Sequence, residues 1–194
     1  THFKRRLAWS TVSNLSYILF GVTIMTPLGM AAAITHLVCH AFMKITGFFC
    51  AGAVIHQTER QYVHQLNGLG RRMPVIFGCF TAASLALMGV PGLAGFVSKW
   101  SLAQAAVSSG SPLALAGVGA LLASALLTAC YLLSIVVRAF FPAADFDEST
   151  LEGVQDPSWL MLLPILLLTG VVIFLGLCST PLLQFIAGVA GGQI

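Results

Sequence analysis

Long apolar runs constrain this chain more than any other feature. Residues 7–24, 28–55, 75–108, 113–137 and 159–178 are each apolar enough, and long enough, to cross about 30 Å of hydrocarbon at about 1.5 Å per residue. A water-facing globule cannot be built from such a pattern. The chain is 58% hydrophobic and 8% charged, against roughly 25% charged residues in soluble domains. The sequence therefore predicts an all-α, polytopic transmembrane helix bundle of about five spans, one domain over residues 1–194, with the lipid bilayer as its solvent. Loops at 56–74 and 143–158 are polar. The two remaining connections are short, so spans one and two, and three and four, are expected to be antiparallel neighbours. A chain that opens at Thr1 instead of Met is expected to be part of a longer protein.

The third run is too long for one straight helix. Val90-Pro91-Gly92 interrupts it, and proline removes a helix hydrogen bond while the nearby glycines free the backbone. Two half-helices joined at Pro91 and Gly92 are expected; a plain proline kink is the simpler alternative.

Seven of the nine Lys and Arg residues (Lys4, Arg5, Arg6, Arg60, Arg71, Arg72, Arg138) fall where five spans would put them all on one side. By the positive-inside rule that side is the cytoplasm, which places this N-terminus inside a cell (inner or plasma) membrane. The acids Glu59, Asp145, Asp147, Glu148, Glu152 and Asp156 fall on the same side and read as solvated. The five cysteines sit in apolar stretches without CxxC spacing and read as small buried hydrophobes. Trp9, Trp100 and Trp159 read as interfacial or packing residues.

Two cations remain, and they lie inside spans: Lys44 in the second and Lys99 beyond Pro91 in the third. A charge at helix centre costs about 2.5–3.5 kcal/mol on insertion scales, so each should face the protein interior or hydrated space. The structural alternative is a lysine tied to helix carbonyls or to an anion from a partner chain. Lysine suits a proton relay because, unlike arginine, it can give its proton up. His36, His40 and Lys44 follow at i, i+4, i+8 and so share one helical face. Histidine exchanges protons near neutrality through both ring nitrogens. A metal would need a third ligand beside His36 and His40, and none is evident; no metal or other cofactor is implied. The first span carries Ser10, Thr11, Ser13, Asn14, Ser16 and Tyr17, which either line hydrated space or hold helices together. Nothing resembles a nucleotide loop, a nucleophile triad, a redox-centre motif or a nucleic-acid surface.

Four stretches carry a family resemblance: KRRLAWSTVS from Lys4, HLVCHAFMK from His36 to Lys44, GLGRRMP from Gly68, and GVPGLAGFVSKW from Gly89. In this order they resemble the proton-conducting, antiporter-like membrane subunits of NADH:quinone oxidoreductase, membrane-bound hydrogenases and Mrp-type cation/proton antiporters. HAFMKITGFFCAGAV and GFVSKW look closest to the Mrp D-type subunit. The resemblance implies inverted repeats with broken helices. It also implies a relay of Lys44, Lys99, His36 and His40, with Lys4, Ser98 and Ser13 as accessory groups. Its partners would be other membrane subunits, with protons, and sodium in the antiport reading, as the ions moved. The family's first repeat and its buried glutamate–lysine pair are absent, so the chain corresponds to the C-terminal repeat. Three readings follow: proton translocation with or without cation exchange, a pumping subunit of a quinone-reducing or hydrogenase complex, and a membrane scaffold for redox subunits.

Overall fold

A computed structural model describes residues 2–142 and 146–191. It is helical throughout: α1 (Phe3–Thr23), α2 (Pro27–Thr58), α3 (Leu69–Arg72), α4 (Pro74–Met88), α5 (Ala94–Ser108), α6 (Pro112–Phe140), α7 (Trp159–Leu177) and α8 (Thr180–Ala190). Single 3₁₀ turns stand at Val63–Leu66 and Glu148–Leu151. Prolines open α2, α4 and α6, where the missing N–H costs nothing. Thr26 caps α2 by accepting the Gly29 N–H at 3.0 Å.

By length and composition α2, α6 and α7 can cross a membrane alone. α1 has 21 residues but opens on three cations and carries the polar run, which lowers its apolarity. α4 and α5 have 15 residues each, about 22 Å apiece, so only the pair reaches across. The outward faces of α6 and α7 expose Leu122, Leu126, Leu127, Leu160, Leu167 and Phe174. Such a surface belongs against lipid or another membrane protein. The chain is a multi-pass membrane bundle.

α2 is the hub and packs against α1, α4, α5, α7 and α8. The basic residues gather at one end. Phe3 N–H binds the Gln61 carbonyl at 2.8 Å, tying the start of α1 to the end of α2. Gly68 N–H donates to the Arg138 carbonyl at 3.1 Å, and Arg71 Nε to the Phe140 carbonyl at 3.2 Å. Lys4, Arg5, Arg6, Arg60, Arg71, Arg72 and Arg138 thus share one pole.

Several expectations change. The helical run does not stop at Cys178, because α8 follows and packs on α2. Asp156 is more than a solvated acid: its carboxylate accepts the Val75 and Ile76 N–H groups at 3.1 and 3.2 Å and caps α4 across a long loop. Asp147 accepts the Ser149 N–H at 2.9 Å, which holds its carboxyl below the usual range. Cys39, Cys50 and Cys79 are buried, but Cys130 and Cys178 are exposed. Part of the loop at 143–158, including Asp145, lies outside the described residues.

The third span breaks where the sequence predicts. Gly89 (φ +94°) donates to the Ala86 carbonyl at 2.9 Å and Val90 to the Leu85 carbonyl at 3.1 Å, a Schellman stop that needs a glycine. Pro91 and Gly92 carry the chain to a new start at Ala94. The half-helices then pack back on each other through Gly95, where a Cβ would run into the Ala86 carbonyl. Gly95→Ala should therefore destabilise the assembled protein by about 1–3 kcal/mol. Gly52→Ala, which meets nothing within 4 Å, should be neutral or stabilising by up to about 1 kcal/mol. Thermal unfolding of the purified protein in detergent distinguishes the two.

Candidate functional site

Both intramembrane lysines are buried, Lys44 at 5% and Lys99 at 6% exposure, yet they are held differently. Lys44 reaches from mid-α2 to α1, where Nζ donates to the Leu7 carbonyl at 3.1 Å and to the Ser10 hydroxyl in a short contact. Lys99 sits in the second turn of α5 and leans back toward its N-terminus, as helical side chains do. Its Nζ donates to the Leu87 and Met88 carbonyls, at 2.6 and 3.1 Å. These carbonyls end α4 and have no helical partner of their own. The cation also complements the negative end of that half-helix. Gly89 makes room, since a Cβ there would lie 3.1 Å from Lys99 Cδ. Lysine is thus tied to carbonyls at the break itself, not stationed along the helix beyond it.

Between the lysines lie the two imidazoles. His36 and His40 stack with ring centroids 5.9 Å apart. His36 Nδ1 is 3.0 Å from Ser98 Oγ, and that hydroxyl donates to the Gly95 carbonyl at 3.2 Å. The ring tautomer follows the Ser98 hydroxyl, which can donate to the Gly95 carbonyl or to the ring. The Nε2 atoms of His36 and His40 and Oδ1 of Asn14 are buried without a protein partner among the described residues. Buried polar atoms of this kind are where ordered water binds. An ammonium has three donors. Among the described residues each lysine uses two on the groups above, which leaves one N–H of each for water.

The polar run of α1 divides by direction. Ser10, Asn14 and Tyr17 are buried and point inward at helical spacing. Asn14 Nδ2 donates to the Ser10 carbonyl at 2.7 Å, behind the Lys44 contact. Tyr17 packs edge-on against His36 at 5.4 Å, and its ring lies 5.7 Å from Lys99 Nζ. Its hydroxyl makes a short bond to Ser124 of α6, which is 3.3 Å from Ser13 Oγ. Thr11 and Ser16 bond only their own helix. Of the accessory residues, Ser98 and Ser13 join this cluster, whereas Lys4 is exposed on the first turn of α1 and stands outside it. Sequence reasoning missed Ser124, whose signal is its place with Thr128 and Tyr131 at i, i+4, i+7 on an otherwise apolar helix. Among the described residues no three His, Cys, Asp or Glu side chains converge.

A model of the transmembrane segments described as NADH:quinone oxidoreductase/Mrp antiporter, TM matches residues 1–128. The chain belongs to that family. Its relatives include NADH-quinone oxidoreductase subunit L of Rickettsia felis, 35% identical over 93% of this chain and 27% of that protein. Subunit N of Desulforudis audaxviator is 32% identical over 93% of this chain and 37% of its own length. The chain thus spans about a quarter to a third of the curated relatives it matches. Among solved structures, a chain of the Mrp complex from Dietzia sp. superposes with a TM-score of 0.81 at 25% identity, covering 96% of this chain and 42% of the other. Respiratory complex I from Thermus thermophilus shares the fold, with a TM-score of 0.84 over 99% of this chain and 39% of that one, at 22% identity. The resemblance read from the four motifs is therefore established at the level of the family.

The two lysines should respond differently to loss of charge. Lys99→Met strands the Leu87 and Met88 carbonyls in apolar surroundings and should cost about 1–3 kcal/mol of stability. Lys44→Met should cost less, since the Leu7 carbonyl belongs to a helix interior. Denaturant unfolding of the two variants in detergent measures the difference.

Proposed function

We propose that this segment moves protons through a relay of Lys99, His36, His40 and Lys44, within a multisubunit membrane complex. One observation carries the reading: among the described residues each buried lysine makes two hydrogen bonds of a possible three, and His36 and His40 each bury an Nε2 with no protein partner. A scaffold has no use for cations whose hydrogen bonding is left incomplete, since unmade bonds in a low dielectric are costly. Water in the gaps would complete a chain along which protons exchange. Ser98 and Tyr17 orient His36, and Ser10 receives Lys44. Pro91 and Gly92 serve by ending α4 where Lys99 can reach its carbonyls.

The basic pole supports an orientation with that pole, and so the N-terminus of α1, in the cytoplasm. Partners would be the other membrane subunits of an antiporter or respiratory complex. The wording around Lys44 and Lys99 favours an Mrp D-type subunit exchanging protons for a monovalent cation such as sodium. The 35% identity to an L subunit over nearly all of this chain favours a second reading, a pumping subunit of an NADH:quinone oxidoreductase. The branches separate by the driving force: a sodium gradient moves protons in the first, and NADH oxidation in the second.

In the full-length subunit and its complex, Lys44→Ala should abolish proton transport while assembly persists, because removing an interior cation relieves a desolvation cost. Lys99→Arg should preserve the contacts to the α4 carbonyls and still fail, because arginine does not release its proton. Both are read from the pH gradient across reconstituted vesicles with a fluorescent dye. Full transport by either assembled variant removes that lysine from the relay. Reporter fusions after Arg72 and at Ser109 should lie on opposite sides of the membrane, the first in the cytoplasm.

A further inference from the structure

Two contacts set the register of α1 against α2. Ser10 meets the Lys44 ammonium, and the Tyr17 ring packs edge-on against His36 with centroids 5.4 Å apart. Moving from Ser10 to Tyr17 along α1 therefore follows the path from Lys44 back to His36 along α2. Four residues of helix rise about 6 Å. Asn14, four beyond Ser10, thus lies level with His40, four before Lys44. Both are interior residues, Asn14 at 2% and His40 at 5% exposure.

Each keeps a buried polar atom with no protein partner among the described residues, Asn14 Oδ1 and His40 Nε2. The other end of the carboxamide fixes its orientation. Asn14 Nδ2 donates to the Ser10 carbonyl at 2.7 Å. A carbonyl can only accept, so the amide nitrogen faces Ser10 and the oxygen is left for another donor. Two such atoms at one level inside a membrane bundle call for a shared polar partner, because burying them bare is costly. A water suits both, since it donates to the oxygen and can donate to or accept from the ring nitrogen.

We propose that Asn14 is a positioning residue of the relay, holding a water between its Oδ1 and His40 Nε2 so that this water is aimed for transfer between Lys44 and His40. The amide oxygen accepts one O–H of the water and keeps it from turning. The second O–H is then left for His40 Nε2, and a lone pair of the water for the third N–H of Lys44. In a transfer from Lys44, an ammonium N–H breaks as an O–H forms, and the water's O–H toward His40 breaks as an Nε2–H forms. Lys44 ends as a neutral amine and His40 as an imidazolium, while the water and Asn14 are unchanged. The proposal rests on the relay reading above, and its test separates the two.

Three variants of the full-length subunit are reconstituted in its complex, and proton transport is compared per assembled complex. Asn14→Thr can still bond the Ser10 carbonyl four residues back, as Thr35 and Thr46 do with the Ala31 and Phe42 carbonyls, but it loses the amide oxygen. It should slow transport about tenfold, the equivalent of about 1.4 kcal/mol, and raise the ratio of rates in H₂O and D₂O because the proton step becomes limiting. Asn14→Leu should do the same, and carries the test should Asn14→Thr fail to assemble. Asn14→Gln, which restores an amide oxygen, should stay within about threefold of the unsubstituted protein. Unimpaired transport by Asn14→Thr overturns the proposal, since the Ser10 bond is then all that the residue supplies. So does an equal loss in all three variants with an unchanged isotope ratio, the mark of a packing role. Lys44→Ala in parallel vesicles keeps the readings apart. If it is inactive while Asn14→Thr transports normally, the assignment of Asn14 falls and the relay stands; if Lys44→Ala transports normally, the relay falls and takes this role with it.

Discussion

Inside a membrane a backbone carbonyl must find a donor within the protein, and the last turn of α4 has two that its own helix does not serve. Much of the site follows from that requirement. The donor is a lysine placed one turn into the next half-helix, and its side chain leans back by the ordinary habit of helical residues. A glycine at the stop makes room for its stem, and a tyrosine ring from α1 faces its charge. A single ammonium therefore caps a helix, steadies a break and stands beside the imidazoles. Lys44 is simpler. It meets α1 through one carbonyl and one serine, where no helix end needs it.

What could be read from the sequence was whatever local chemistry decides. Pro91 between glycines stops a helix wherever it occurs, so the break at Gly89–Leu93 was visible in advance. His36, His40 and Lys44 lie on one face of α2 because helical period puts them there, and the basic pole follows from span counting. Features that depend on distant partners were not visible. Asp156 caps a helix that begins some eighty positions earlier and looks in sequence like any loop acid. Lys99 reads in sequence only as a cation beyond Pro91, because the backward lean of its side chain onto the α4 carbonyls leaves no mark there. α8 is too short to register as a span, so its packing on α2 left no signal. Ser124 shares a helical face with Thr128 and Tyr131, a sparse polar stripe that does not say which helix it meets. The polar run of α1 divided only once the inward and self-bonded members were separated in space.

The arrangement also explains how apolar helices support polar chemistry. α2 collects its neighbours through small residues, among them Ala32, Ala33, Ala51 and Ala53, all buried. Close packing of this kind leaves the polar groups of α1, α2 and α5 facing one another and excludes lipid from them. The bundle's stability and its polar seam arise from the same close helix contacts.

Gly176, near the end of α7, rests on the backbone of Gly92 and Leu93, where any side chain would collide. A joint made of main-chain atoms alone has no rotamer to turn and no stem to bend. Side-chain contacts can absorb a small shift of one helix by repacking; this one passes it on. The tail end of α7 and the elbow of the broken span therefore meet main chain to main chain. A tilt of α7 would press directly on the main chain that joins α4 to α5.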